Sequence, residues 1–135
     1  MGSGTFELGS MAFPGKRILI VEDDDINLMI AQHVLKKTGY VIETADNGET
    51  AVEIVKDRPF DLILMDIEMP IMGGLEATPL IRELEYGRAV PIIALTAHSL
   101  PEKLEQFKAA GITDYLTKPI DKEKFASIAD RFLSV

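Results

Sequence analysis

Cysteine is absent from the 135 residues, which excludes disulfides, zinc–thiolate sites and cysteine nucleophiles. Basic residues are few: 14 Lys and Arg stand against 22 Asp and Glu, a net charge of −8 with histidines neutral. A nucleic-acid surface needs a basic footprint, so no nucleic-acid partner is expected. No apolar run approaches the ~20 residues that cross a bilayer, and no basic start precedes an apolar core. Neither a membrane span nor a signal peptide is therefore expected, and a cytoplasmic protein is the default. What is present suits one soluble domain. Hydrophobic residues make up 47% and charged residues 27%, the balance of a globular chain. A domain of this length buries roughly two-thirds of its unfolded surface and needs no staples.

The first stretch, residues 1–15, differs from the rest: Met1-Gly2-Ser3-Gly4-Thr5 and Leu8-Gly9-Ser10 are small and aperiodic, as in a tag or linker. Met11 is a candidate native start. The domain proper is expected over residues 16–135. There, short apolar runs alternate five times with segments of helical period. The strands are Ile18–Val21, Val41–Ala45, Leu62–Met65, Pro91–Leu95 and Tyr115–Thr117. The first helix carries Ile26, Met29, Ile30 and Val34 and runs to a cap at Gly39. The second opens at Asn47-Gly48 and ends before Pro59; the third lies between Gly74 and Glu85. Ser99 and Glu102 form a capping-box pattern for a fourth, ending at Ala110 before Gly111. Asp121 begins the fifth, whose stripe is Phe125, Ile128, Ala129 and Phe132. Near-continuous apolar strands alternating with helices imply an α/β fold, a parallel sheet covered on both faces. Right-handed crossovers make it doubly wound.

Polar residues follow the strands in a pattern that carries chemistry. Glu22 and Asp23 follow the first strand, Asp66 the third, Thr96 the fourth and Lys118 the fifth. Ligands of open parallel sheets bind at this edge, where strand order reverses. If the first and third strands are neighbours there, their three carboxylates converge. Clustered acids repel one another, and a hard cation with oxygen ligands relieves them; Mg2+ fits because it accepts a few carboxylates and keeps several waters. Lys118 offers a point charge and Thr96 a hydroxyl, both suited to phosphoryl oxygens. A metal, a carboxylate nucleophile and two donors are the parts of phosphoryl transfer to an aspartate.

In these segments the chain resembles the receiver domains of two-component response regulators. The matching residues are Ile18-Leu19-Ile20-Val21-Glu22-Asp23, Leu64-Met65-Asp66-Ile67-Glu68-Met69-Pro70, Leu95-Thr96-Ala97 and Lys118-Pro119. The resemblance implies a flavodoxin-like, three-layer α/β/α fold with strand order 2-1-3-4-5. It implies that Asp66 accepts a phosphoryl group from the phosphohistidine of a histidine kinase or histidine phosphotransfer protein. By the same likeness Asp23 is a direct magnesium ligand, Glu22 a ligand mainly through water, and the Glu68 carbonyl completes the set. Thr96 and Lys118 are to contact the phosphoryl oxygens, Tyr115 is the switch aromatic, and Lys118-Pro119 is a candidate cis peptide. Glu68 and His98 are expected to flank the attacking water and tune dephosphorylation. Such a domain catalyses its own phosphorylation and dephosphorylation without being a conventional turnover enzyme. A downstream protein target is expected on the surface of the fourth helix, fifth strand and fifth helix. The phosphodonor is expected near the first helix, where Ile26, Met29 and Ile30 offer apolar anchors.

Three alternatives share parts of this pattern. A carboxylate-nucleophile phosphatase wants a second aspartate two residues after the first, where Glu68 stands. A flavin-binding module wants a Ser/Thr-rich phosphate loop after the first strand, and Glu22-Asp23-Asp24-Asp25 replaces it. A degenerate receiver acting only as a binding module would lack some of the acids, Asp66, Thr96 or Lys118. The chain is expected to be either a stand-alone receiver or one cut from a hybrid kinase. Two positions depart from the family pattern. Gly73-Gly74 replaces the usual Asp-Gly, and Pro79 falls where the third helix is expected. Because proline inside a helix costs ~3 kcal/mol, the helix is expected to be distorted or to start late, at Glu76 or even after a Thr78 cap.

Overall fold

Alternate residues of the inner strands feed two separate cores, which is why these strands read as unbroken apolar runs. The computed structural model describes residues 15–36, 39–97 and 103–134. The strands are β1 (Arg17–Val21), β2 (Val41–Ala45), β3 (Leu62–Asp66), β4 (Ile92–Thr96) and β5 (Asp114–Thr117). All pair in parallel, in the order β2-β1-β3-β4-β5. With a side-chain period of two, Ile18, Ile20, Leu62, Leu64, Ile93 and Leu95 face one core. Leu19, Val21, Ile63, Met65, Ile92 and Ala94 face the other.

Five helices cover the two faces: α1 (Asp25–Leu35), α2 (Gly48–Asp57), α3 (Gly74–Arg82), α4 (Leu104–Ala110) and α5 (Lys122–Phe132). Ala31, Val34 and Leu35 of α1 share a core with Phe125, Ile128 and Ala129 of α5. Ala51 and Val55 of α2, Ala77 and Ile81 of α3 and Phe107 of α4 close the opposite face. The architecture is thus the three-layer, doubly wound sheet expected. Among the described residues no helix is long and apolar enough to cross a membrane. Asp24, Asn47 and Asp121 each cap a helix by accepting a backbone N–H, from Asn27, Thr50 and Lys124 respectively.

Two local expectations are corrected. First, α1 ends at Leu35 with a cap at Lys36, not at Gly39. Gly39 does hold φ 86°, but its carbonyl accepts the Gly15 N–H at 3.0 Å and serves the approach to β2. On the same helix Ile26 and Met29 are 67% and 65% exposed, as apolar anchors need to be. Second, α3 starts without delay at Gly74 and holds Pro79 in its interior. Packing sets that start. A Cβ on Gly74 would lie 2.5 Å from the Asp66 carbonyl oxygen, so only glycine lets the helix begin against β3. The Gly74 N–H donates to the Ile67 carbonyl at 3.0 Å, and Glu76 Oε1 accepts the Gly73 N–H at 3.1 Å. Those tertiary bonds hold the first turn, and α3 instead stops early, at Arg82, followed by a 3₁₀ turn over Glu85–Gly87.

At the other end of α4, Gly111 holds φ 102° and donates its N–H to Phe107 and Lys108 carbonyls. The Ser99–Glu102 capping pattern, the tag or linker reading of residues 1–14, and His98 all lie outside the described residues.

Candidate functional site

Asp66 is the last residue of β3, and the sheet is wound so that the ends of β1 and β4 flank it. Its carboxylate is buried, with 2% of the residue exposed. Oδ1 accepts from Lys118 Nζ at 3.1 Å and, more weakly, from the Glu68 N–H at 3.4 Å. Lys118 also stands 3.8 Å from Glu22 Oε1. Its own N–H donates to the Thr96 carbonyl at 2.7 Å, which ties the β5–α5 loop to β4. The Lys118–Pro119 peptide is cis.

Glu22 follows β1 and is as buried as Asp66. Its N–H donates to the Ala45 carbonyl, and its Oε2 accepts the Asp24 N–H at 3.2 Å. Asp23 is exposed at the mouth. One carboxylate oxygen from each of Glu22, Asp23 and Asp66 falls within 4.8 Å of the others. Electrostatics register the crowding. Burial, then hydrogen bonding with Asp66 and its charge, push the Glu22 carboxyl up to about 7. The Asp24 N–H and Lys118 oppose this shift without cancelling it. For Lys118 burial acts downward, yet Asp66, Glu22 and Asp23 together hold the ammonium above its ordinary value. A glutamate whose ionisation is opposed by its neighbour Asp66, with one ammonium shared between them, marks a site short of positive charge.

The donor set is all hard oxygen, and its spacing fits a small divalent cation such as Mg2+. Thr96 ends β4, the strand next to β3, and is buried in register with Thr117 of β5. Glu68 is exposed two residues past Asp66. Tyr115 lies on β5, half-buried, with its ring 6.2 Å from that of Phe107. It lines a cleft of about 240 Å3 with Leu104, Phe107 and Ile112, away from the carboxylates. The structure therefore brings Glu22, Asp23, Asp66 and Lys118 together, with the Glu68 N–H facing Asp66, sets Thr96 at the end of the neighbouring strand, and leaves Tyr115 against α4.

The comparisons agree with this geometry. A family model for the response regulator receiver domain matches residues 18–130. The chain belongs to that family. It is 43% identical over 120 residues to the two-component response regulator ORR41 of Oryza sativa subsp. japonica, covering 86% of this chain and 93% of that protein. It is 41% identical over 115 residues to the signal transduction histidine-protein kinase BarA of Shigella flexneri, covering 85% of this chain. The chain spans only 12% of that kinase's length. Among solved structures, the receiver domain of sensor histidine kinase PA1611 from Pseudomonas aeruginosa PAO1 superposes with a TM-score of 0.81 at 39% identity, over 88% of this chain and 98% of that one. That receiver holds a magnesium ion in its active-site cleft. The chemotaxis response regulator CheY4 of Vibrio cholerae gives 0.79 at 34% identity, over 87% of this chain and 98% of that one. This receiver thus has relatives both among response regulators and within kinases.

Sequence reasoning missed the tethers that hold the loop after Asp66. The Gly48 N–H, at the start of α2, donates to the Met72 carbonyl at 2.8 Å. A Cβ on Gly48 would lie 2.7 Å from that oxygen, so the Asn47-Gly48 pair both opens a helix and admits the neighbouring loop. Nothing in the local pattern of Asn47-Gly48 signals the second task.

Proposed function

We propose that Asp66 is the phosphoacceptor of this receiver and that its donor is the phosphohistidine of a kinase or phosphotransfer protein. One observation carries the reading: Lys118 Nζ lies 3.1 Å from Asp66 Oδ1 while Glu22 and Asp23 crowd the same cavity. An Asp66 oxygen attacks phosphorus, the P–N bond breaks, and the electron pair returns to the imidazole of the donor. Lys118 follows the negative charge as it spreads over the phosphoryl oxygens, and the Thr96 hydroxyl donates to one of them. Glu22, Asp23, Asp66 and the Glu68 carbonyl are the residues that would hold Mg2+, Glu22 mainly through water. When bound, the ion supplies charge neutralisation between carboxylates and phosphate. Afterwards Glu68 borders the path of hydrolytic water and tunes the lifetime of the acyl phosphate, a role for which the sequence also offers His98.

Ile26 and Met29, exposed on α1 beside the site, are the apolar anchors for the donor's helices; Ile30 is only half-exposed and contributes less. The output surface is α4, β5 and α5. Movement of Thr96 toward phosphate draws Tyr115 away from Phe107 and reshapes that face for a protein target. Phosphate shifts this equilibrium only by its differential contacts in the two states. The exchange takes place in the cytoplasm, where a kinase finds its nucleotide. Intact-mass measurement after acetyl phosphate treatment tests the assignment. One phosphoryl group is expected with Mg2+, little after chelation, and none in Asp66→Asn, whose fold persists. Full labelling of Asp66→Asn rejects it.

A further inference from the structure

Lys124 occupies a place where a cation is unwelcome. It is in the first turn of α5, three residues past the Asp121 cap, where the helix dipole favours acids. Its backbone N–H is consumed by that cap at 2.8 Å. Its side chain does not turn toward an acid. Among the described residues no carboxylate makes an ion pair with Nζ. Instead the ammonium reaches back out of the helix to Thr117 O at 3.2 Å, Thr117 Oγ1 at 3.2 Å and Pro119 O at 3.3 Å. An ammonium has three protons, and three neutral oxygens receive them.

Those oxygens bracket one residue, Lys118. On its β4 side, Lys118 is held by its N–H on the Thr96 carbonyl at 2.7 Å. On its α5 side, the carbonyls of the residues before and after it, Thr117 and Pro119, are held by Lys124. The Lys118 side chain leaves this doubly anchored segment to meet Asp66 at 3.1 Å and Glu22 at 3.8 Å. We infer that Lys124 is a positioning residue for phosphoryl transfer: it fixes the backbone on either side of Lys118 so that the ammonium meets the phosphoryl oxygens. This inference rests on the proposed role of Asp66. Positional precision matters here because Lys118 is a point charge on a flexible stem, whose alignment must come from its backbone. Misplacement of a reacting group by about 1 Å costs up to 10²-fold in rate.

Lys124→Met keeps the aliphatic stem and removes the three donors; Lys124→Arg keeps donors and charge. First-order phosphorylation rates at saturating acetyl phosphate and Mg2+ are expected to fall ~10-fold in Lys124→Met and to return within ~3-fold of wild type in Lys124→Arg. Magnesium affinity is expected to change less than ~2-fold, because no proposed ligand has moved. Side-chain nitrogen NMR supplies a readout independent of turnover: the ordered Lys118 Nζ signal of the wild type collapses toward an averaged, solvent-like lysine in Lys124→Met. A wild-type rate and an unchanged Lys118 signal in Lys124→Met overturn the inference. So does an equal loss in both variants that tracks a common fall in melting temperature, which marks a purely structural lysine. Should the wild-type chain itself take no phosphoryl group, the role of Asp66 fails, and the Lys118 signal still decides whether Lys124 orders it.

Discussion

Ile71 shows at the scale of a single residue how the loop beside the site stores strain. It holds φ 69°, a conformation that β-branched residues avoid. Met72 N–H closes back on the Pro70 carbonyl at 2.7 Å, so Ile71 is the centre of a γ-turn of the rarer hand. The side chain gains nothing from the core, being 76% exposed. Left-handed geometry costs an L-residue ~1–2 kcal/mol, and asparagine is among the few residues that adopt it readily. Ile71→Asn is therefore expected to stabilise the domain by ~1 kcal/mol, seen as a raised urea midpoint at unchanged slope. A lowered midpoint means that the isoleucine is packed in some way its exposure conceals. The conformation persists because neighbours on both sides over-determine it: Gly48 holds Met72, and Gly74 holds Ile67.

At the scale of the element, α3 is the case in which local and tertiary preferences disagree. Pro79 is the sixth residue of a helix running from Gly74 to Arg82. It offers no N–H to the Leu75 carbonyl, and Thr78 turns its hydroxyl onto the Gly74 carbonyl at 2.7 Å, a bond that tends to bend helices. Restoring the amide with Pro79→Ala is expected to add ~2 kcal/mol of stability, read from denaturant unfolding, with phosphorylation unchanged. An unmoved midpoint means that the helix already accommodates its proline. Local propensity argued for a late start because it weighs only the chain's own turn. It has no access to the close approach of Gly74 to the Asp66 carbonyl. The same division runs through the rest of the molecule. Strands β1, β3 and β4 were legible because burial on both faces leaves no polar residue inside them. Glu22, Asp23, Asp66, Thr96 and Lys118 were legible because each ends or follows a strand, and parallel pairing puts those ends at one edge. Lys124 was not, since a lysine in a helix's first turn looks like an ordinary solvated charge.

Across the whole molecule, the two cores meet at a sheet whose active edge is its least settled part, and folding stability is tied to the charge of that edge. The Glu22 carboxyl is raised from 4.5 to about 7 in the metal-free protein. A native state that prefers the protonated acid binds more protons than the unfolded chain between those two values, so its stability falls as pH rises through them. The contribution is complete below about pH 4.5 and gone above about 7, a loss on the order of 3 kcal/mol. Glu43 does not confuse this window. Its bond to Arg58, assisted by the charges of Arg58 and Arg17, outweighs burial and lowers its pKa, so it is ionised throughout and weakens the fold only in stronger acid. Magnesium held by the proposed ligands is expected to cancel most of that slope. It needs ionised Glu22, so its affinity rises over the same interval, and at 100 times its dissociation constant it adds ~2.7 kcal/mol. Urea unfolding from about pH 5 to 8 should therefore show stability falling with pH in chelator and nearly level with pH in Mg2+ at about 100 times its dissociation constant. Glu22→Gln, neutral at every pH, should flatten the chelator curve. If that curve instead climbs with pH in the wild type, Glu22 is ionised without the metal, and the crowded carboxylates carry less unrelieved charge than their spacing implies.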